Sequence, residues 1–388
     1  MSNASDATSE TNTVNAANTA VKKTPLAPWL QTQLESLLAQ RGHAWLLNGP
    51  SGLGQFELAQ ALARAWLCEQ PTPQGACGHC GSCHAVDVHT HADLCLLVPE
   101  TLSLALGWPL DEKTQDDLDS KKRKPSKEIK VDAAREAVSF TQFTRSRGTT
   151  KVVLVFPAER MNHITANTLL KTLEEPPGAV KFILATDAAH QLLPTIRSRC
   201  LGHTMVWPDF AQASAWLQQE AASVDEGGGS ASTRKGARQA APPDAADLQT
   251  LLVAAGGRPA DALAWAQNGA PGEAARHWQG LPKAMARGDA SVLTDWSPAQ
   301  VVDALQKLCH DVLAVRMGAS PRFFNTADLP GPVAGTPGSS PARAPGLYAL
   351  ASWSRELATT ARTVEHPYNA GLMLESLASR AQLALNSK

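Results

Sequence analysis

Four cysteines, Cys68, Cys77, Cys80 and Cys83, form the pattern C-x8-C-x2-C-x2-C. Four thiolates in so short a window suit the tetrahedral preference of Zn2+. Gly75, Gly78 and Gly81 permit the tight turns that aim successive cysteines at one ion. Four sulfurs saturate the metal, so the expected site is structural rather than catalytic. His79 and His84 are neighbouring alternative ligands, and free cysteines without a metal are the plain alternative; all-cysteine ligation is the expectation. Cys95, Cys200 and Cys309 stand alone and read as ordinary buried or half-buried residues.

A second candidate site precedes the cysteines. Gly49-Pro50-Ser51-Gly52-Leu53-Gly54-Gln55-Phe56 follows an apolar run and opens a helical pattern. That is the context of a phosphate-binding loop, G-x-x-x-x-G-K-[ST], whose amides cradle phosphates, whose Lys neutralises them and whose hydroxyl holds Mg2+. Gly49 and Gly54 keep the register, with Gly52 between them. Gln55 replaces the Lys and Phe56 the hydroxyl. A lost charge-assisted hydrogen bond of roughly 1.5–3 kcal/mol weakens phosphate binding about tenfold to a hundredfold. The amides and the helix dipole could still hold an anion weakly. Taken alone, the loop is equally an ordinary glycine-rich turn of an unrelated α/β fold. A second loss accompanies it. The apolar run Val152–Val155 should end in acidic residues that hold Mg2+ and polarise water, but continues as Phe156-Pro157-Ala158-Glu159. Phe156 and Pro157 occupy the acidic positions, and Glu159 reads as a solvated loop residue. Nucleotide hydrolysis is not expected.

The elements that must position these residues alternate. Short apolar runs at Ala44–Leu47, Leu94–Val98, Val152–Phe156, Phe182–Ala185 and His203–Val206 read as buried parallel strands. Helical patterns lie between them, including Gln55–Leu67 and Ala166–Leu173, the latter stopped by Pro176-Pro177. The fold class is therefore an α/β domain with a mostly parallel sheet. It spans residues 25–206, with a cysteine module at 68–83. Residues 111–128, including the basic run Lys121–Lys124, read as a solvated insertion. Residues 207–270 form a small helical region with a Gly/Ala/Ser/Pro-rich insertion at 222–247. Residues 271–388 form an all-helical domain with a flexible loop at 318–345; Val301, Leu305, Leu308 and Val312 mark one amphipathic face, and Met373, Leu374, Leu377 and Ala381 another. Residues 1–24 read as a disordered tail without the apolar core of a secretory signal.

The 388 residues are 43% hydrophobic, enough for a sizeable core. No apolar run is long enough to predict a membrane span. The expected compartment is the cytoplasm, where cysteines stay reduced. A formal net charge of −1 lacks the basic excess of a dedicated nucleic-acid binder, so any DNA contact should be local or shared.

Several stretches together carry a family resemblance. Pro28-Trp29-Leu30 and the run His43–Gly54 resemble the opening of bacterial DNA polymerase III clamp-loader subunits, members of the AAA+ family. The cysteine insertion after the loop's helix is similar to their zinc module. Asn167-Thr168-Leu169-Leu170-Lys171-Thr172-Leu173-Glu174-Glu175-Pro176-Pro177, Leu184-Ala185-Thr186-Asp187 and Ser198-Arg199-Cys200 follow at the family's spacing. The last 180 residues match mainly in helical character, with Tyr368-Asn369-Ala370 opening the final helix. The resemblance implies an AAA+ sheet domain, a helical lid and a helical collar. The gamma/tau ATPases of the family keep the Lys and the acidic strand end; Gln55, Phe56, Phe156 and Pro157 place this chain with members that lack them. It further implies a heteropentameric ring with gamma/tau and delta subunits, acting on a sliding clamp and primed DNA. Arg199 would be an arginine finger supplied in trans to a neighbour's ATP, with Ser198 and Cys200 positioning it; such fingers are worth roughly 10³–10⁵ in rate. Arg197 is the confounder, and local pairing of Arg199 the plain alternative. Thr186 takes a γ-phosphate-sensing position and is expected to be vestigial. The rival readings are an active gamma/tau-type ATPase and a stand-alone zinc-dependent nucleic-acid-binding protein.

Overall fold

In a computed structural model of the protein, residues 25–226, 244–267, 272–294, 296–330, 345–364 and 369–387 are described. The expected tail at 1–24 and the centres of both expected insertions, 227–243 and 331–344, lie outside the described residues.

Five strands, β1 (Ala44–Asn48), β2 (Leu94–Leu97), β3 (Lys151–Val155), β4 (Val180–Thr186) and β5 (Leu201–Thr204), form one sheet in the order β2-β3-β4-β1-β5. Every neighbouring pair is parallel. The helices α1 (Pro28–Leu38), α2 (Gln55–Leu67), α3 (Gly81–Asp87), α4 (Glu100–Leu106), α5 (Glu112–Asp119), α6 (Val131–Gln142), α7 (His163–Glu174) and α8 (Pro194–Arg197) connect the strands. Alternation along β4 divides the core. Ile183 and Ala185 join Trp45, Leu47 and Leu154 beneath α1 and α2, while Phe182 and Leu184 join Leu46, Val153 and Val155 beneath α6 and α7. Each fully buried large side chain contributes about 1.5–3 kcal/mol, so a one-residue slip of β4 would exchange the two faces at great cost.

The remaining helices build two further clusters. Leu217, Leu248, Leu251 and Leu252 join α9 (Phe210–Glu226), α10 (Ala245–Ala254) and α11 (Pro259–Gln267). Trp278, Leu305, Leu308, Leu350, Trp353 and Leu377 join α12 (Glu273–Arg287), α13 (Pro298–Arg316), α14 (Leu347–Thr363) and α15 (Ala370–Asn386).

Three expectations need correction. The last strand lies at Leu201–Thr204 rather than His203–Val206: pairing with Trp45–Asn48 sets it, not apolar content, and Leu201 and Val206 are both exposed. The solvated insertion contains α5, capped by Asp111, whose carboxylate accepts from the Thr114 amide. Arg123 of the basic run is not free, because it forks onto Glu100 beside Lys130. Finally, part of the expected flexible loop, from Arg322 to Leu329, is pinned to the core. The fully buried Asp311 carboxylate accepts the amides of Arg322, Phe323 and Phe324 at 2.9, 2.7 and 2.9 Å, and Phe324 and Leu329 enter the core.

Candidate functional site

Parallel strands place the loops after β1, β3 and β4 at one edge of the sheet, where open α/β sheets collect ligands. The loop after β1 turns through Gly52 and Gly54, with φ of 79° and 96°. A Cβ on Gly52 would stand 2.6 Å from Asp261, and one on Gly54 2.6 Å from Leu30. The loop has the shape to cradle phosphate, but its interior is taken. Gln55 is buried and folds back: its Nε2 donates to the carbonyls of Gly49 and Pro50 at 2.8 and 2.7 Å and to Asp187 Oδ1 at 2.9 Å. Phe56 stacks on Phe156, ring centroids 5.1 Å apart. The residues replacing the Mg2+-binding hydroxyl and the metal-binding Asp thus pack against each other.

Glu159 is not the solvated loop residue expected from the sequence. It accepts from the Thr186 hydroxyl at 2.6 Å and the Asp187 amide at 3.2 Å. Thr186 is fully buried in this contact. Burial, with Glu159, Asp261 and Glu57 nearby, pushes the Asp187 carboxyl up to about 7. Glu159, Asp261 and Glu57 thus disfavour a further negative charge beside Asp187, the same repulsion that a phosphate would meet there.

The loop is also clamped from α11. Arg258 Nη1 donates to Ser51 Oγ at 2.9 Å and pairs with Asp261 at 3.0 Å. Ser51 Oγ donates to Asp261 at 3.2 Å, and the Ala260 amide to the Gly52 carbonyl at 3.2 Å. Beyond Arg258, Asp303 of α13 lies 3.9 Å away and pairs with Lys307 at 2.5 Å. Sequence reasoning missed Arg258, Asp261 and Asp187. Asp187 adjoins Thr186 and was within reach, whereas Arg258 lies 207 positions from Ser51 and carries no local signal.

At the other end of α2, the Sγ atoms of Cys68, Cys77, Cys80 and Cys83 all lie within 4.8 Å of one another. Cys68–Cys80 is 3.8 Å and Cys77–Cys83 4.0 Å. A tetrahedron of Zn–S bonds of about 2.3 Å has edges of about 3.8 Å, so the donor set fits such an ion. The Gln70 and Cys77 amides donate to Cys68 Sγ at 3.3 Å, and the Cys83 amide to Cys80 Sγ at 3.4 Å. Such bonds orient and stabilise thiolates. Gly75 and Gly78 take positive φ as the turns require, while Gly81 opens α3. All four cysteines are free thiols, and neither His79 nor His84 joins the cluster. These four residues could hold a metal ion.

Arg199 sits between α8 and β5. Its Nε and Nη2 meet Glu174 at the end of α7, and its Nη1 donates to the Thr195 carbonyl at 2.7 Å. Ser198 Oγ is 3.4 Å from Nη1, and Cys200 packs into the core beside it. Arg197 is exposed. Leu201 pairs with Trp45, so Arg199 stands at the edge where strands begin, opposite the loop after β1. At about 3.3 Å per residue the two are separated by roughly 20 Å along the strands.

The family profile described as DNA polymerase III, delta subunit, matches residues 26–205. The delta-prime subunit of DNA polymerase III from Pseudomonas aeruginosa is 38% identical over 192 residues, covering 49% of this chain and 52% of that protein. The tau subunit of Escherichia coli is 32% identical over 159 residues, covering 41% of this chain and 21% of that protein. A solved gamma subunit-related protein of Thermotoga maritima aligns with a TM-score of 0.45 at 15% identity, covering 92% of this chain and 99% of that one. The chain spans about half the length of the curated delta-prime relatives it matches. Among the described residues no helix is long and apolar enough to cross a membrane. Over residues 26–205, the stretch that carries the sheet, the filled loop and Arg199, the chain is similar to the DNA polymerase III delta-subunit family, and delta-prime subunits are among the relatives it matches there.

Proposed function

We propose that the protein is the delta-prime subunit of a bacterial clamp loader, a member that does not hydrolyse ATP and serves as a stator for the ring. The observation that carries this reading is the filled phosphate loop, in which Gln55 occupies the interior and Phe56 lies on Phe156. The ring partners are gamma/tau and delta subunits, and the assembled complex loads a sliding clamp onto primed DNA in the cytoplasm. Residues 207–270 serve as the lid and 271–388 as the collar through which subunits assemble. Cys68, Cys77, Cys80 and Cys83 hold a structural Zn2+ that ties the module between α2 and β2 to the domain. Arg199 is the finger given to a neighbour's ATP. The length of the strands separates it from its own loop, which supports action in trans. Its guanidinium stays charged and is forked to meet phosphate oxygens.

The tau relative favours a second reading, an active ATPase. The acidic, self-bonded loop counts against it. ATP binding and hydrolysis by the purified chain decide between them. Absence of both upholds the stator; micromolar binding with Mg2+-dependent turnover overturns it.

A further inference from the structure

We infer that Glu174 is a positioning residue for Arg199: its carboxylate holds one flank of the guanidinium while the Thr195 carbonyl holds the other, so that the finger is aimed before a partner arrives. This rests on the finger role proposed for Arg199. Glu174 and Glu175 end α7, where the helix dipole disfavours a carboxylate. Pro176 and Pro177 prevent the helix from continuing and leave Glu174 at its last position. A negative charge held at a negative helix end is a local conflict, and such conflicts mark functional positions. Arg199 resolves it, since Glu174 meets both Nε and Nη2.

The other flank is fixed by backbone. Nη1 donates to Thr195 within the α8 turn, and Ile196 anchors that turn in the core. Cys200, half-buried on the far side of Arg199, is anchored there too. The guanidinium is thus clamped between the end of α7 and the turn of α8, two elements packed on the same face of the sheet. Arg197, on the same turn, has an exposed side chain. An arginine left to itself loses rotamer entropy when it meets phosphate; one already held does not. Glu174 therefore distinguishes Arg199 from Arg197 as the finger.

The test uses the reconstituted ring with clamp, primed DNA and ATP, carrying Glu174→Ala, Glu174→Gln, Arg199→Ala, Arg197→Ala or Glu174→Ala with Arg199→Ala. Misplacing a positioned group costs about tenfold to a hundredfold in rate, so Glu174→Ala lowers kcat by that factor with KM for ATP unchanged. Glu174→Gln, which keeps the acceptor and loses the charge, recovers part of it. Glu174→Ala adds nothing in the Arg199→Ala background, and Arg197→Ala leaves the rate unchanged. Assembly of each ring is confirmed by its elution volume. A normal kcat for Glu174→Ala beside a large loss for Arg199→Ala overturns the positioning role and leaves the finger standing. Equal losses from Glu174→Ala in both backgrounds also overturn it. A normal rate for Arg199→Ala removes the finger and this inference together.

Discussion

Helix α2 carries a glycine-rich site at each end, and the two have opposite fates. At its N-terminus, Gly52 and Gly54 shape a phosphate loop whose polar side chains already have intramolecular partners: Gln55 with Gly49, Pro50 and Asp187, and Ser51 with Arg258 and Asp261. At its C-terminus, Gly75 and Gly78 shape a loop whose four thiols converge with only one another and a few amides for company. Similar turn chemistry thus gives a closed site and an open one. A glycine turn supplies the cradle; whether a ligand enters depends on what the rest of the chain puts in it.

The largest test of this contrast is at the open end. Zinc binding in small cysteine sites is worth on the order of 10 kcal/mol. Purified protein should carry a single equivalent of zinc by elemental analysis. Cys83→Ser, at a fully buried position, should lose the metal and melt at a markedly lower temperature. Full stability without metal would mean that this end is as self-sufficient as the other.

The next effect is at the closed end. Arg258→Ala removes the ion pair with Asp261 and the donor to Ser51, and should cost about 2 kcal/mol in urea denaturation. Hydrogen exchange should quicken at the start of α11. Unchanged protection of Ala260 would show that the clamp contributes nothing.

Protonation sharpens the comparison further. Asp187 titrates near 7 in the folded protein, against about 3.9 in an unfolded chain. The folded value is raised, so its contribution is fully present below about pH 4 and is lost as pH rises to about 7. Wild type should lose up to about 4 kcal/mol between pH 4 and pH 8 that Asp187→Asn does not lose. Parallel pH profiles for the two proteins would contradict an acidic, desolvated loop.

The smallest effect comes from returning the missing cation. Gln55→Lys places an ammonium beside Asp187, and because desolvating the buried ammonium offsets the pairing, stability at pH 8 should change by no more than about 1 kcal/mol. ATP turnover should stay absent, alone or with Phe56→Thr, because Phe156 and Pro157 still occupy the acidic positions. Turnover in either variant would mean the site was one or two substitutions from working, not closed.

Much of this was legible in one dimension. Buried parallel strands are apolar runs, so β1 to β4 could be placed to within a few residues. The cysteines cluster in space because they cluster in sequence. The edge strand β5 was less legible, because its exposed residues carry no burial pattern and pairing alone decides its limits. Helix α5 buries no residue and so left no periodic signal to read.

The sequence by itself determined the sheet, the loop glycines, the missing lysine and acidic residues, and the thiol set, because each depends on residue type and short spacing. Only the tertiary structure decided what fills the loop and what holds Arg199. Glu159 looked solvated until Thr186 was seen to donate to it from another strand. Arg258 reaches Ser51 across 207 positions, and Glu174 reaches Arg199 across 25. The physical reason is common to all three. Whether a charged side chain faces water or a partner is set by chain packing over long separations, and no local pattern encodes that choice.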